Sequence, residues 1–300
     1  MQSFRRFCFL GPIFVTISHS PGGPLHSSNT VVFCATDDFL PLPGKPVSGF
    51  LEFLDSLSQS SIPCVWVSSR NRHQLDASFR KFGRGEPFIA EGGSCVYLAE
   101  DYFHLKPART VRLGRFIAIP IAKAQPAAAE ALEKLSQQSG ITVVPLRSLS
   151  PRELMQNTGL PRSEAEATRQ RDFDELFFFA GASENDIGRF RERALQQRLL
   201  VRSRPDGLWS IAVEASLASC VRELQKLYAR AFHRPAFAFA LATSRAPEYA
   251  ELFSSSDRAV LLRDRTESGT EPSLRNARVL PLFHPDSWTE AFQLIERRQF

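Results

Sequence analysis

Two adjacent carboxylates, Asp37 and Asp38, follow a short apolar run at 31–33, and the triplet Ser68, Ser69 and Arg70 follows a second run at 64–67. Carboxylates at the end of a buried strand can pass a proton or contact a hard cation, and a hydroxyl beside a guanidinium can hold an oxyanion. Each feature also has a plainer reading. Adjacent aspartates are ordinary polar residues at a strand-to-turn junction. A serine at a strand end is an ordinary helix cap, and arginines near loops, such as Arg70 and Arg72, are common in so arginine-rich a chain.

The other reactive residue types exclude more than they offer. Five cysteines (Cys8, Cys34, Cys64, Cys95 and Cys220) are scattered and never spaced C-x-x-C, and the six histidines form no H-x-H or H-x-x-x-H pair. A structural zinc site and a disulfide framework are therefore not expected, and a reducing, cytoplasmic compartment is. Cys34 is expected to be a small buried hydrophobe and not a nucleophile.

With 300 residues, of which 43% are hydrophobic and 23% charged, the chain can bury a full core and is not a disordered protein. No apolar run reaches the ~20 residues that span a bilayer. The 37 basic residues exceed the 32 acidic ones by too little to argue for nucleic acid or an anionic membrane, and the first thirty residues hold Arg5 and Arg6 and no acid. Those thirty residues combine a basic end with an apolar run interrupted by Pro12. They are read as an extension, disordered or signal-like, with secretion the lesser reading.

From residue 31 the pattern becomes strand, helix, strand, helix: apolar runs at 31–33 and 64–67, with helical spacing at 47–57 and 74–82. This order predicts a parallel, doubly wound sheet with ligands at the carboxyl ends of its strands. The middle differs in texture, with strands expected at 116–121, 141–144, 175–180, 199–201 and 209–213 between helices. The residues 150–153, S-P-R-E, match a capped helix start. The parallel-sheet texture then resumes, with strands at 237–241 and 259–262, a loop at 265–276 and a closing helix at 288–297. The predicted architecture is an α/β Rossmann-like core (31–96 and 208–300) with an inserted α/β cap (97–207).

The order of segments resembles the mannosyl-3-phosphoglycerate phosphatases of the haloacid dehalogenase superfamily. P-F-I-A-E-G-G at 87–93 is similar to the family's P-F-I-x-E-N-G, R-D-F-D-E-L-F at 171–177 to its R-E-F-x-E-P-F, and P-D-S-W-T-E-A at 285–291 to its P-E-G-W-N-E-A. Helices carrying S-P-R-E-L at 150–154 and T-G-L at 158–160 fit its cap. The resemblance implies magnesium-dependent hydrolysis of a phosphosugar, with an aspartate attacking phosphorus and a second aspartate, two residues on, acting as acid and base.

Residue by residue, that chemistry is mostly missing. The nucleophile position is Ala35, and Asp37 stands at the acid/base position. The resemblance makes Ser68 a phosphate-binding hydroxyl. It puts Ser216 and Leu217 at the family's aspartate and lysine, and Lys226 lies ~13 Å further along the same helix. Of the family's magnesium motif Ser244 remains, while Thr243 and Pro247 replace its acids, leaving only Asp37 and Asp38 as metal contacts. Arg70 and Arg171 are the further phosphate or substrate contacts implied; Arg171, Asp172 and Glu175 face the substrate in the family and otherwise read as a solvated charge cluster. The expectation is thus a non-catalytic relative, a pseudoenzyme that binds a phosphorylated sugar or glycerate derivative or a protein partner. The alternatives are an active magnesium-dependent phosphatase and a structural protein without a ligand. Neither nucleic acid nor membrane is an expected partner.

Overall fold

A computed structural model describes residues 28–41, 44–104, 107–204, 206–243, 250–264 and 276–298. The extension expected at 1–30 lies outside these residues up to 27, as does Ser244; Thr30 already belongs to the first strand.

The run at 31–33 is the middle of β1 (Thr30–Ala35), six buried residues in a row, as expected of a strand covered on both faces. α1 (Phe50–Gln59), β2 (Cys64–Val67) and α2 (Arg72–Phe82) follow. The Asn71 side chain caps α2 and Gln74 answers it, so the turn after β2 is held rigidly. β3 (Phe88–Ala90), β4 (Cys95–Ala99), β5 (Val111–Leu113) and β6 (Phe116–Pro120) complete the first half.

The chain then enters a separate layer: α3 (Gln125–Ser139), β7 (Val143–Pro145), α4 (Pro151–Thr158), α5 (Arg162–Thr168), β8 (Asp174–Phe179), α6 (Glu184–Gln196), β9 (Leu199–Ser203) and β10 (Trp209–Val213). The capping box read from 150–153 is present at α4, between Ser150 and Glu153. α7 (Leu217–Phe232), β11 (Phe237–Thr243), α8 (Ala250–Ser254), β12 (Arg258–Arg263), β13 (Ala277–Pro281) and α9 (Ser287–Arg297) return to the first layer.

The large sheet runs β13-β12-β11-β1-β2-β3-β4-β6-β5. Its strands are parallel from β13 to β3 and antiparallel from β3 to β5. The small sheet runs β7-β8-β10-β9 and is antiparallel throughout. This is the α/β architecture expected, with one difference. β13 lies just beyond the expected loop, at the sheet edge; of its five residues only Leu280 is buried, while Arg278 and Val279 are exposed. By strand pairing, the exchange between sheets falls after Pro120 and after Val213. β6 pairs with β4 in the large sheet, whereas β10 pairs with β8 and β9 in the small one.

Strand alternation divides the large sheet's core. Val32 and Cys34 face the side covered by α1, α2 and α9, with Phe50, Phe79 and Trp288 among the buried partners. Val31, Phe33 and Ala35 face the side covered by α7 and α8. Among the described residues no helix is long and apolar enough to cross a membrane.

Candidate functional site

The carboxyl ends of β1 and β2 meet below the cap, because parallel pairing sets Ala35 opposite Val67. The residues just past these ends therefore share one place. Asp37 is the centre of it. Its Oδ1 accepts the Ser68 hydroxyl, and its Oδ2 accepts the Ser69 backbone N–H at 2.7 Å and the Ser69 hydroxyl at 2.6 Å. The Arg70 Nε lies 3.6 Å from Oδ1, with both side chains almost wholly buried. Arg70 also donates to the Leu40 carbonyl. Burial pushes the Asp37 carboxyl up, but the Arg70 charge and the Ser68 and Ser69 donors outweigh it and hold the group below the usual carboxylate range. Asp37 is thus an anion at neutral pH.

Asp38 accepts a hydrogen bond from the Thr243 hydroxyl at the end of β11. Both aspartates line a cleft of about 340 Å³ together with Arg70, Arg204 and Asp206. Arg204 and Asp206 form a pair at 2.8 Å in the turn between β9 and β10. The cleft lining also includes the buried Leu160 and Leu282 and a two-thirds exposed Phe283.

The cap is tied to this place through Ser69 and the first turn of α2. The Ser69 carbonyl accepts from Arg171 Nη2 at 3.0 Å and Arg204 Nη1 at 2.5 Å. Asn71 donates to the Ala167 carbonyl at 2.6 Å, Gln74 to the Thr168 hydroxyl at 3.0 Å, and Arg72 pairs with Asp172 at 2.9 Å. Glu91, at φ 52° in the turn after β3, reaches into the cap and accepts the backbone N–H groups of Asp172, Phe173 and Asp174 at 2.8–3.0 Å. Burial and the neighbouring Asp174 push its carboxyl up to about 8, against the pull of Arg171 and the backbone amides.

The residues expected at the site fall into three groups. Asp37, Asp38, Ser68 and Arg70 are brought together. Arg171 is close but turned to structure: it pairs with Asp174 at 2.5 Å, and Asp172 is held by Arg72 and by the Tyr97 hydroxyl. These residues and Glu175, which accepts from Gln125, are buried or paired, so the solvated-cluster reading is corrected. Ser244 lies outside the described residues.

The apolar residues at the positions where the resemblance sets a nucleophile and a lysine are part of the core. Ala35 and Leu217 are each 1% exposed and belong to the same cluster under α7. Ser216 is the N-cap of α7, as a residue before a helix should be, and Lys226 points to solvent and pairs with Glu223. Cys34 is fully buried on the opposite face of β1, and burial beside Cys64 pushes its thiol well above the ordinary value, so it is no nucleophile.

Magnesium is the cofactor the resemblance implies, and the donors here do not fit it. Among the described residues no cluster of three or more carboxylate, histidine or cysteine groups could hold a metal ion. Asp37 is committed to four donors, Asp206 to Arg204, and the position that would bring a further carboxylate beside Asp38 carries the Thr243 hydroxyl.

Glu91, Arg204 and Asp206 were not legible as site residues, and Ser69 was legible only as part of the triplet that follows β2. Glu91 stood in a family-like stretch, yet nothing in that stretch says that its carboxylate crosses to the cap. Arg204 and Asp206 sit in a polar turn that carries no spacing signal.

No protein-family model matches the chain. Over 179 residues it is 22% identical to a glucosyl-3-phosphoglycerate/mannosyl-3-phosphoglycerate phosphatase of Methanococcoides burtonii, covering 60% of this chain and 65% of that one. Over 143 residues it is 26% identical to a protein of the same name from Persephonella marina, covering 47% of this chain and 51% of the other. The chain thus matches between half and two thirds of the length of these curated relatives. Among solved structures, a haloacid dehalogenase-like hydrolase from B. subtilis superposes with a TM-score of 0.60 at 11% identity, over 91% of this chain and 100% of its own. A phosphatase of the haloalkanoate (HAD) enzyme superfamily from Bacteroides thetaiotaomicron does so at 0.58 and 14% identity, over 92% and 99%. Likeness at this identity shows the fold.

Proposed function

We propose that this chain, which resembles the mannosyl-3-phosphoglycerate phosphatases of the haloacid dehalogenase superfamily in sequence and fold, is a non-catalytic member of that superfamily whose cleft binds a phosphorylated sugar or glycerate derivative. The observation that carries this reading is the state of positions 35 and 217. Where the family has its phosphate-accepting aspartate and its charge-neutralising lysine, this chain has an alanine and a leucine packed into one apolar cluster.

The chemistry follows from those side chains. A methyl group cannot form an aspartyl-phosphate, and a buried leucine cannot offset the charge that develops on a transferring phosphoryl group. Asp37 is held ionised, so it has no proton to give a leaving oxygen at neutral pH. Loss of a single nucleophile costs on the order of 10⁶ in turnover in a well-studied hydrolase, and groups that act as a unit do not compensate one another. What remains is a cleft lined by both charged and apolar side chains, a makeup that suits a small-molecule site. Among the described residues, four buried free thiols support a reducing, cytoplasmic setting.

The competing reading, an active magnesium-dependent phosphatase, is favoured by the names of the relatives. One experiment separates the two: the protein is mixed with glucosyl- or mannosyl-3-phosphoglycerate and magnesium, and both phosphate release and melting temperature are followed. The proposal expects a raised melting temperature without release. Release at ordinary enzyme rates, or no response to either compound, would defeat it.

A further inference from the structure

The residues that would hold a phosphate already hold an anion. Ser68 Oγ–H, Ser69 N–H and Ser69 Oγ–H all donate to the Asp37 carboxylate, and Arg70 supplies its counter-charge. A hydroxyl, a backbone N–H and a guanidinium converging on one group is the way proteins hold a phosphate oxygen. Two further observations point to a seat made for an anion larger than a carboxylate. Arg70 Nη1 is sealed from water and has no hydrogen-bond acceptor among the described residues, although a buried charged donor without an acceptor is costly. The Ser68 hydroxyl, itself fully buried, accepts the Arg70 backbone N–H at 3.0 Å, so its proton is directed at Asp37.

We propose that Asp37 is the specificity-determining residue of the cleft: its carboxylate occupies the phosphate seat, and a phosphate ester takes that seat only by displacing it. The inference rests on the reading of the cleft as a non-catalytic ligand site. It goes further in naming what sets the affinity. With Asp37 in place, an incoming dianion meets a like charge and loses the Arg70 charge to the resident carboxylate. With Asp37 removed, Ser68, Ser69 and Arg70 form a cationic seat that needs no divalent metal.

The test uses inorganic phosphate in the presence of a metal chelator, with binding read by titration calorimetry on the full chain. Asp37→Gly removes the competing carboxylate. Asp37→Asn keeps its shape, but a carboxamide has one acceptor oxygen and must release part of the donor set. The Asn variant serves if the Gly variant fails to show a cooperative melt. The expected result is that phosphate binds at least about tenfold more tightly to the folded variant than to the wild type, the effect of freeing one charge-assisted hydrogen-bond set. Equal affinity in wild type and folded variant, including no binding to either, would overturn the proposal. Failure of the broader ligand reading looks different. In that case the wild type ignores glycosyl-phosphoglycerates, while the Asp37 variants still gain phosphate.

Discussion

Ser69 meets Asp37 twice, through its backbone N–H at 2.7 Å and its hydroxyl at 2.6 Å, both on the same carboxylate oxygen. Those contacts join the ends of β1 and β2, and the Ser69 carbonyl carries the connection on to Arg171 and Arg204 of the cap. One serine therefore links the strand ends, the anion and the cap. Asp37, held by Ser68, Ser69 and Arg70, is part of the frame that holds the cleft together.

Arg70 is the charge that makes this frame stable. Replacing it by leucine strands Asp37 as a buried anion, and the expected loss is about 3 kcal/mol near pH 7. Because the native Asp37 carboxyl titrates below its ordinary value, the stabilisation is present above the unfolded value near 4 and is lost as pH falls through the native one. Urea unfolding of Arg70→Leu and wild type at pH 7 and pH 3 checks this: the gap between them should shrink in acid. A gap that is unchanged or wider at pH 3 would refute the assignment of Arg70's role.

Glu91 clasps the core to the cap with one carboxyl group and three backbone donors. Glu91→Ala orphans all three, and an expected cost of about 3 kcal/mol follows from leaving buried donors unmade. The pH dependence runs opposite to that of Asp37. The native carboxyl is raised from 4.5 to about 8, so the folded state binds its proton more tightly than the unfolded chain. The stability this confers is whole below about pH 4.5 and fades as pH climbs to about 8. Melting curves of Glu91→Gln between pH 5 and pH 8 should be flatter than those of the wild type; parallel curves would count against the shift.

Gly93 is fixed by close approach. It stands at φ 102°, and a Cβ there would lie 2.6 Å from the Leu217 backbone N. The start of α7 is pinned on it, with Ser216 N–H donating to the Gly93 carbonyl at 3.2 Å. Gly93→Ala should cost about 3 kcal/mol or more, since both the backbone and its neighbour must shift. Gly83, at φ 63° with nothing near its would-be Cβ, should cost about 1 kcal/mol on the same change. Thermal unfolding of the two variants side by side decides it, and equal losses would show that the α7 contact is slack.

Ala35→Asp places a carboxylate where the proposed reading puts the nucleophile of the related phosphatases, and changes nothing else. The new carboxylate would enter the apolar cluster shared with Leu217, without a lysine or a metal to balance it. The variant should remain inactive on mannosyl-3-phosphoglycerate and should melt below the wild type. Recovery of turnover by this single change would mean that the remaining groups suffice.

Much of this was legible before the fold was. Buried strands announce themselves as short apolar runs, so β1, β2, β11 and β12 were visible, and the S-P-R-E start of α4 specified its own cap. β13 gives a weaker signal: it lies at the sheet edge, and only Leu280 of its five residues is buried. The site was legible in type and not in pairing. The sequence places Asp37 near Ser68, but only parallel register brings the carboxylate onto the Ser68 and Ser69 donors. The cap's contribution through Arg204 and the reach of Glu91 depend on contacts across more than eighty residues, which no local pattern encodes.

The account stands most directly on one measurement: phosphate release from glucosyl- or mannosyl-3-phosphoglycerate by the purified full chain in the presence of magnesium. On the proposed reading, in which Ala35 and Leu217 stand where the related phosphatases carry their nucleophile and lysine, and with Asp37 held as an anion, the predicted result is release no faster than in the protein-free control. Sustained release that scales with protein concentration and disappears on removal of magnesium would contradict it.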